Sequence, residues 1–278
     1  MNARLALSID DRRTFADGHA FGDSGAYERL TGRVRFWADP VNGNHPTVTD
    51  LDKAPRNSDG LVEYTADFCL LKPVEMARGN RRVFFDYGNR GNKRALQFFN
   101  DAVGSGSPTA LEHAGNGFLM RRGYTIAWLA WQGDLLPGDG RMLLDVPVVT
   151  DNGNPITGTV RNEYIVNAPG VSVMPLSGLA PSRSYPTVSL DTRQARLTRR
   201  RYAASPREAI PHDAWSFARL EESPAVDGLG RDRAVVPSDI HLYLHAGFET
   251  GWIYELMYEA RDPRVLVSAI CGTRLISF

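Results

Sequence analysis

The alternation of hydrophobic and polar positions already sorts the first third of the chain. Leu5, Leu7 and Ile9 alternate with Ala6 and Ser8, a weak edge-strand signal. Val34, Phe36 and Ala38 alternate with Arg33, Arg35 and Trp37, and Asp39-Pro40 ends that strand. Residues 41–60 are rich in Asn, Gly, Pro and Asp and read as loop, and 61–71 read as a second long strand closed by Pro73. Residues 1–75 are therefore expected to be a β-rich N-terminal part.

Residues 76–134 carry a different pattern. Val83, Phe84, Phe85 and Tyr87 form a short buried-strand run, followed by a turn at Asn89, Arg90, Gly91 and Asn92 that is rich in backbone donors. Ser107-Pro108 predicts a helix start, with Leu111, Ala114, Phe118 and Leu119 at helical spacing. Gly115 and Gly117 predict a break with Asn116 as a new cap, and Gly123 a helix stop. A second apolar run covers 124–131. Strand, helix and strand without a hairpin turn predict parallel pairing through a right-handed crossover, hence an α/β sheet covered by helices.

Residues 135–238 read as a β and loop insertion, with short β patterns at 142–149 and 157–166. Arg196, Arg199, Arg200 and Arg201 read as a solvated basic face, with a phosphate or carboxylate site as the alternative. Ser205-Pro206 followed by Glu208 predicts a short helix towards Pro211, with another turn over 214–220 and a loop over 221–238. In 239–278, a short strand at 240–244 precedes two helical faces. One is built on Trp252, Ile253, Leu256, Met257 and Ala260, the other on Val265, Leu266, Ala269 and Ile270 after Pro263.

Composition narrows the partners. The 278 residues include 32 basic and 32 acidic side chains, a formal charge of zero that gives no reason to expect nucleic acid or an anionic membrane. A hydrophobic fraction of 42% supports a sizeable core, and no apolar run approaches a membrane-spanning length. The N-terminus lacks the apolar core of a signal peptide. The two cysteines, Cys69 and Cys271, fit a reducing compartment, so a cytoplasmic location is expected, and they are too few for a cysteine metal site.

The passage FLMRRGYTIAWLAWQGD, after a strand ending in NRGN, resembles the segment joining the third and fourth strands of an α/β-hydrolase domain. The wording is similar to that of a family of large bacterial α/β-hydrolase domain proteins, as are residues 12–40, 50–73, 156–164 and 247–265, ITGTVRNEY and GFETGWIYELMYEARDPRV among them. The resemblance implies an α/β-hydrolase-like fold, incomplete at its C-terminal side. The family's nucleophile elbow, acid and histidine would follow the last matched stretch, and no G-x-S-x-G occurs before Phe278. It implies hydrolysis of carboxylic esters or similar acyl bonds through a serine nucleophile, with this chain inactive by itself as a truncated member. The alternative is a non-catalytic binding or interaction module. No cofactor is expected, and an ester substrate only with the catalytic half present. The nucleophile strand would lie beside 124–131, whose absence would leave an apolar edge prone to self-association.

The resemblance places oxyanion-hole candidates at Asn89, Arg90 and Gly91, where an ordinary tight turn is the alternative. Gln132 and Asp134, at the end of the second strand, either line a pocket or turn the chain. The two serine near-misses, Gly22-Asp23-Ser24-Gly25 and Gly104-Ser105-Gly106-Ser107, read as a turn and a helix cap. None of the six histidines has a zinc-type spacing. His241 and His245 flank a strand at i and i+4, either as a two-histidine metal face or as polar strand ends. Trp128, Trp131 and Trp252 read as core or helix-packing aromatics.

Overall fold

The computed structural model describes residues 4–41, 48–224 and 231–266. The described residues fall into two compact units, one formed by those up to residue 149 together with 264–266, the other by those from 150 to 263.

In the first unit, β1 (Arg4–Thr14), β2 (Tyr27–Ala38) and β3 (Val62–Pro73) make a long antiparallel meander. The alternation at Val34, Phe36 and Ala38 is realised, with all three side chains buried. Two further strands, β4 (Val83–Asp86) and β5 (Thr125–Leu129), pair in parallel as their apolar runs predict. The strand order is β1-β2-β3-β5-β4, and the two-residue β6 (Leu144–Asp145) adds to β3. Thus β5 is interior, between β3 and β4, with Ile126 and Trp128 buried. The expectation that residues 124–131 form the open edge is overturned: β4 is the last strand.

The crossover is not a long helix. It holds α1 (Ala95–Phe99) and α2 (Phe118–Arg121), with a single 3-10 turn at Leu111–Ala114 between them. Ser107-Pro108 starts no helix. Gly115 is the reason the turns cannot merge: its φ is +56°, and a Cβ there would lie 2.1 Å from the Asn100 carbonyl. Buried Asn100 then replaces helical hydrogen bonds, donating to Ala114 O at 3.0 Å and accepting from Leu119 N at 3.1 Å. Asn116 caps the second turn through Phe118 N at 2.9 Å, and Gly123 ends it, as its sequence predicts.

The second unit begins with the hairpin β7 (Thr150–Asp151) and β8 (Asn154–Pro155). The strands β9 (Thr157–Ile165), β10 (Val173–Pro175), β11 (Arg196–Arg200), β12 (Glu208–Ala209) and β13 (Trp215–Ser216) follow. Then come β14 (Ala218–Pro224), β15 (Arg231–Pro237), β16 (His241–Leu244) and β17 (Ile253–Arg261). One sheet has the order β12-β11-β17-β9, another β10-β16-β13, and β14 pairs with β15. Tyr164, Leu176, Leu197, Trp215, Leu242 and Leu256 belong to its core.

The α/β-hydrolase-like fold class is therefore corrected. Strand makes up 41% of the structure and helix 11%, with two short α-helices among the described residues, so helices do not cover a parallel sheet. The segment expected as a helix from Trp252 to Ala260 is the interior strand β17. Its Tyr254, Leu256, Tyr258 and Ala260 point inward at period two. The helix expected after Ser205 is instead the short strand β12, and the expected loop at 221–238 contains β14 and β15. The last helical face and Cys271 lie mostly outside the described residues, but Pro263–Leu266 is not helical, and Val265 N donates to Pro147 O at 3.2 Å.

At a bulge between β1 and β2, a Cβ on Gly32 would sit 1.9 Å from the Ser8 carbonyl oxygen. Gly32→Ala is expected to lower stability by about 1–3 kcal/mol, as overpacking does. Urea unfolding checks it, and an unchanged midpoint would contradict this packing.

Candidate functional site

The C-terminal ends of the parallel pair β4 and β5 bring the sequence candidates together. Arg90 N donates to Gln132 Oε1 at 2.5 Å, and Arg90 Nη2 lies 3.6 Å from Asp134 Oδ2. The Gly91 carbonyl accepts from Met142 N at 2.9 Å, and the N–H groups of Asn89 and Gly91 donate to no acceptor among the described residues. Arg90 therefore offers no free amide as an oxyanion donor, whereas its two neighbours do.

Asp86, which sequence reasoning passed over, holds this end in place. Its Oδ1 accepts from Gly88 N at 2.9 Å, while Oδ2 accepts from Arg94 N at 2.9 Å, Ala95 N at 2.8 Å and Trp128 Nε1 at 2.7 Å. One carboxylate thus closes the turn after β4, caps α1 and satisfies a buried indole. Trp131 Nε1 donates to Gly88 O at 2.8 Å and also to Tyr87 O, tying the loop to β5. An aspartate ending an apolar run just before a glycine turn was the available signal for this residue.

The side of β4 away from β5 has no strand partner among the described residues. One face of the sheet beside it is open, forming a cleft of about 870 Å3 lined by Leu70, Met76, Val83, Phe85, Tyr87 and Thr125. Leu70, Ala127 and Phe85 make one cross-strand row, and Thr125 and Val83 oppose each other in the next. Met76 is 51% exposed and Tyr87 64%, so the apolar lining meets solvent. Lys72, Arg81 and Arg82 complete the rim without an acidic residue. Lys72 is paired with Glu28, whereas Arg81 and Arg82 have no carboxylate partner among the described residues. On the opposite face Phe84 packs edge-on against Phe99 at 4.6 Å.

No family model matches this chain. No curated protein and no solved structure matches it either. The hydrolase resemblance thus rests on the sequence wording alone.

The other candidates are taken up structurally. Ser24 is buried in a 3-10 turn, and Ser107 Oγ accepts from Arg29 Nη1 at 2.7 Å. His241 Nδ1 lies 2.8 Å from Ser238 Oγ within one turn of the second unit, and burial pushes the His241 pKa down. The His245 ring packs on Tyr243 instead, so the structure does not bring the two histidines to a common ligand. Among the described residues no group of three or more His, Cys, Asp or Glu side chains could hold a metal, and no helix is long and apolar enough to cross a membrane. The arginine cluster is a solvated face only in part: Arg196 and Arg201 are exposed, whereas Arg200 is buried against Glu163 and Glu255, and Arg199 and Arg201 lie over Trp252 at 4.2 and 4.3 Å.

Proposed function

We propose that this chain is a binding module that takes an extended, apolar polypeptide segment with acidic flanks onto the free edge of β4. The segment pairs with the unpartnered backbone of the strand and lays alternate side chains beside the Leu70–Ala127–Phe85 row. The observation that carries this reading is a strand edge left open beside an apolar face. Edge strands are ordinarily blunted by a proline, a bulge or an outward charge. Over Val83–Phe85 the edge has none of these, and the Asp86 carboxylate is engaged by α1 and Trp128. Arg81 and Arg82 supply the complement to acidic flanks. For the acyl-hydrolase reading, Asn89 and Gly91 offer amide donors, but the first unit makes no Ser–His hydrogen bond among the described residues, so the binding reading has the stronger support.

A fluorescently tagged peptide of about eight residues, a valine-rich centre flanked by glutamates, tests this. Saturable binding is expected, weakened about tenfold or more by N-methylation of alternate residues and by Arg81→Glu with Arg82→Glu. Equal binding of the methylated peptide, or no saturation, would overturn the reading. So would a homodimer that Val83→Lys dissociates, because a second copy would then occupy the edge.

A further inference from the structure

A second cleft, of about 290 Å3, lies on the sheet of the first unit over β1, β2 and β3. It is roofed by the segments that carry Lys93, Gly106–Ser107 and Gly140–Met142. Its charged lining is Arg29, Arg33, Lys93 and Arg141 against Asp10 and Asp67. Two of these cations are incompletely matched. Arg29 is only 8% exposed; it donates to Ser107 Oγ at 2.7 Å and to Pro108 O at 3.5 Å, and reaches Asp11 Oδ2 at 3.3 Å. Its buried Nε has no acceptor. Lys93 Nζ donates to the carbonyls of Gly106 at 2.6 Å and Gly140 at 3.0 Å. An ammonium has three donors, and no carboxylate lies within ion-pair distance of this one among the described residues.

Arg29 is buried and Lys93 is partly withdrawn from water. A buried cation needs an anion as well as hydrogen bonds to offset its lost hydration. Burial pulls the Lys93 pKa below its usual value and Arg29 adds to that, against Cys69 and Asp67. The two carbonyls on Lys93 are fixed by close backbone packing, since a Cβ on Gly106 would fall 2.0 Å from Asp139 O. These two bonds place the partly exposed ammonium at the cleft.

We infer that this cleft is a binding site for a small ligand bearing a compact oxyanion, a carboxylate or a phosphate, seated between Arg29 and Lys93. Its volume is below the roughly 300–1,000 Å3 of drug-sized pockets, which selects a small molecule. The site is distinct from the β4 edge, and its test does not depend on that reading.

The chain contains three lysines, Lys53, Lys72 and Lys93, so lysine-selective isotope labelling gives a sparse NMR spectrum in which Lys53→Arg and Lys72→Arg assign the Lys93 signal. Inorganic phosphate and, separately, acetate are titrated to about 50 mM against chloride of equal ionic strength. A saturable shift of the Lys93 signal is expected with at least one of them, while Lys53 stays still. Phosphate alone identifies a phosphorylated ligand, acetate alone a carboxylate, and both an undiscriminating oxyanion site. Arg29→Met, checked for folding by circular dichroism, is expected to weaken the response about tenfold or more. No Lys93 shift with either anion, or a non-saturating drift shared with Lys53, would overturn the inference without the need for any variant in the cleft.

Discussion

Glu255→Ala is expected to remove a large part of the stability of the second unit. Glu255 sits in the interior strand β17 and is only 5% exposed, yet it faces three arginines. Arg207 holds both its oxygens, at 2.8 and 3.0 Å; Arg161 Nε lies at 2.9 Å and Arg200 Nη1 at 3.5 Å. Directly across the strand pair is another carboxylate, Glu163, which only the shared arginines make tolerable. Truncation would leave Arg200, 8% exposed and with an Nε already lacking an acceptor, short of its second carboxylate. Removing one partner of a buried pair costs about 3–5 kcal/mol, a large part of the roughly 5–15 kcal/mol that holds a domain together. Chemical unfolding of the variant measures this, and a loss below about 1 kcal/mol would mean that solvent already screens the network.

The same residue sets an acid limit. Arg207, ahead of Arg161 and Arg200, holds the Glu255 carboxyl below its ordinary value of 4.5, against the opposing effect of burial. A folded-state pKa lower than the unfolded one means that the unfolded chain takes up the proton first. The stabilisation is therefore complete above the unfolded value and declines as pH falls through the depressed folded value. Melting temperatures from pH 6 down to about pH 3 are expected to fall more steeply for the native chain than for Glu255→Gln. Parallel curves would refute the assignment.

Asp86→Ala is expected to cost about 3–4 kcal/mol, because it orphans two buried donors, Trp128 Nε1 and Ala95 N, along with Gly88 N and Arg94 N. Asp86→Asn retains an acceptor oxygen and is expected to recover part of the loss. Trp128→Phe removes one orphaned donor, so a double-mutant cycle with Asp86→Ala should show coupling of about 1 kcal/mol or more. Additive effects would mean that the indole bond contributes nothing. Because the turn after β4 and the start of α1 both hang on this carboxylate, Asp86→Ala should also weaken peptide binding at the edge.

Strict alternation was enough to identify β2, since a half-buried strand leaves few other ways to bury Val34, Phe36 and Ala38 while wetting Arg33 and Arg35, and the run closed by Pro73 was enough to identify β3. The parallel pairing of β4 with β5 was likewise legible, because two apolar runs joined by a long connection cannot form a hairpin. The sequence also placed Asn89, Arg90, Gly91, Gln132 and Asp134 at the C-terminal ends of those strands, where Arg90 does meet Gln132 and Asp134.

Three things were decided only in the folded molecule. Residues 252–260 place apolar side chains at both helical and strand spacing; pairing of β17 with β9 on one side and β11 on the other selects the strand, because both edges gain ladder hydrogen bonds. Which strand is left at the edge depends on β5 inserting between β3 and β4, a matter of order in space that periodicity does not encode. The charges that matter most, Glu255 with Arg161, Arg200 and Arg207 and Arg29 beside Lys93, come from separate segments. In the sequence each reads as an ordinary solvated charge. Burial of Glu255, Arg200 and Arg29 makes these charges consequential, because a charge withdrawn from water must find its compensation in whatever the fold has brought within a few ångströms.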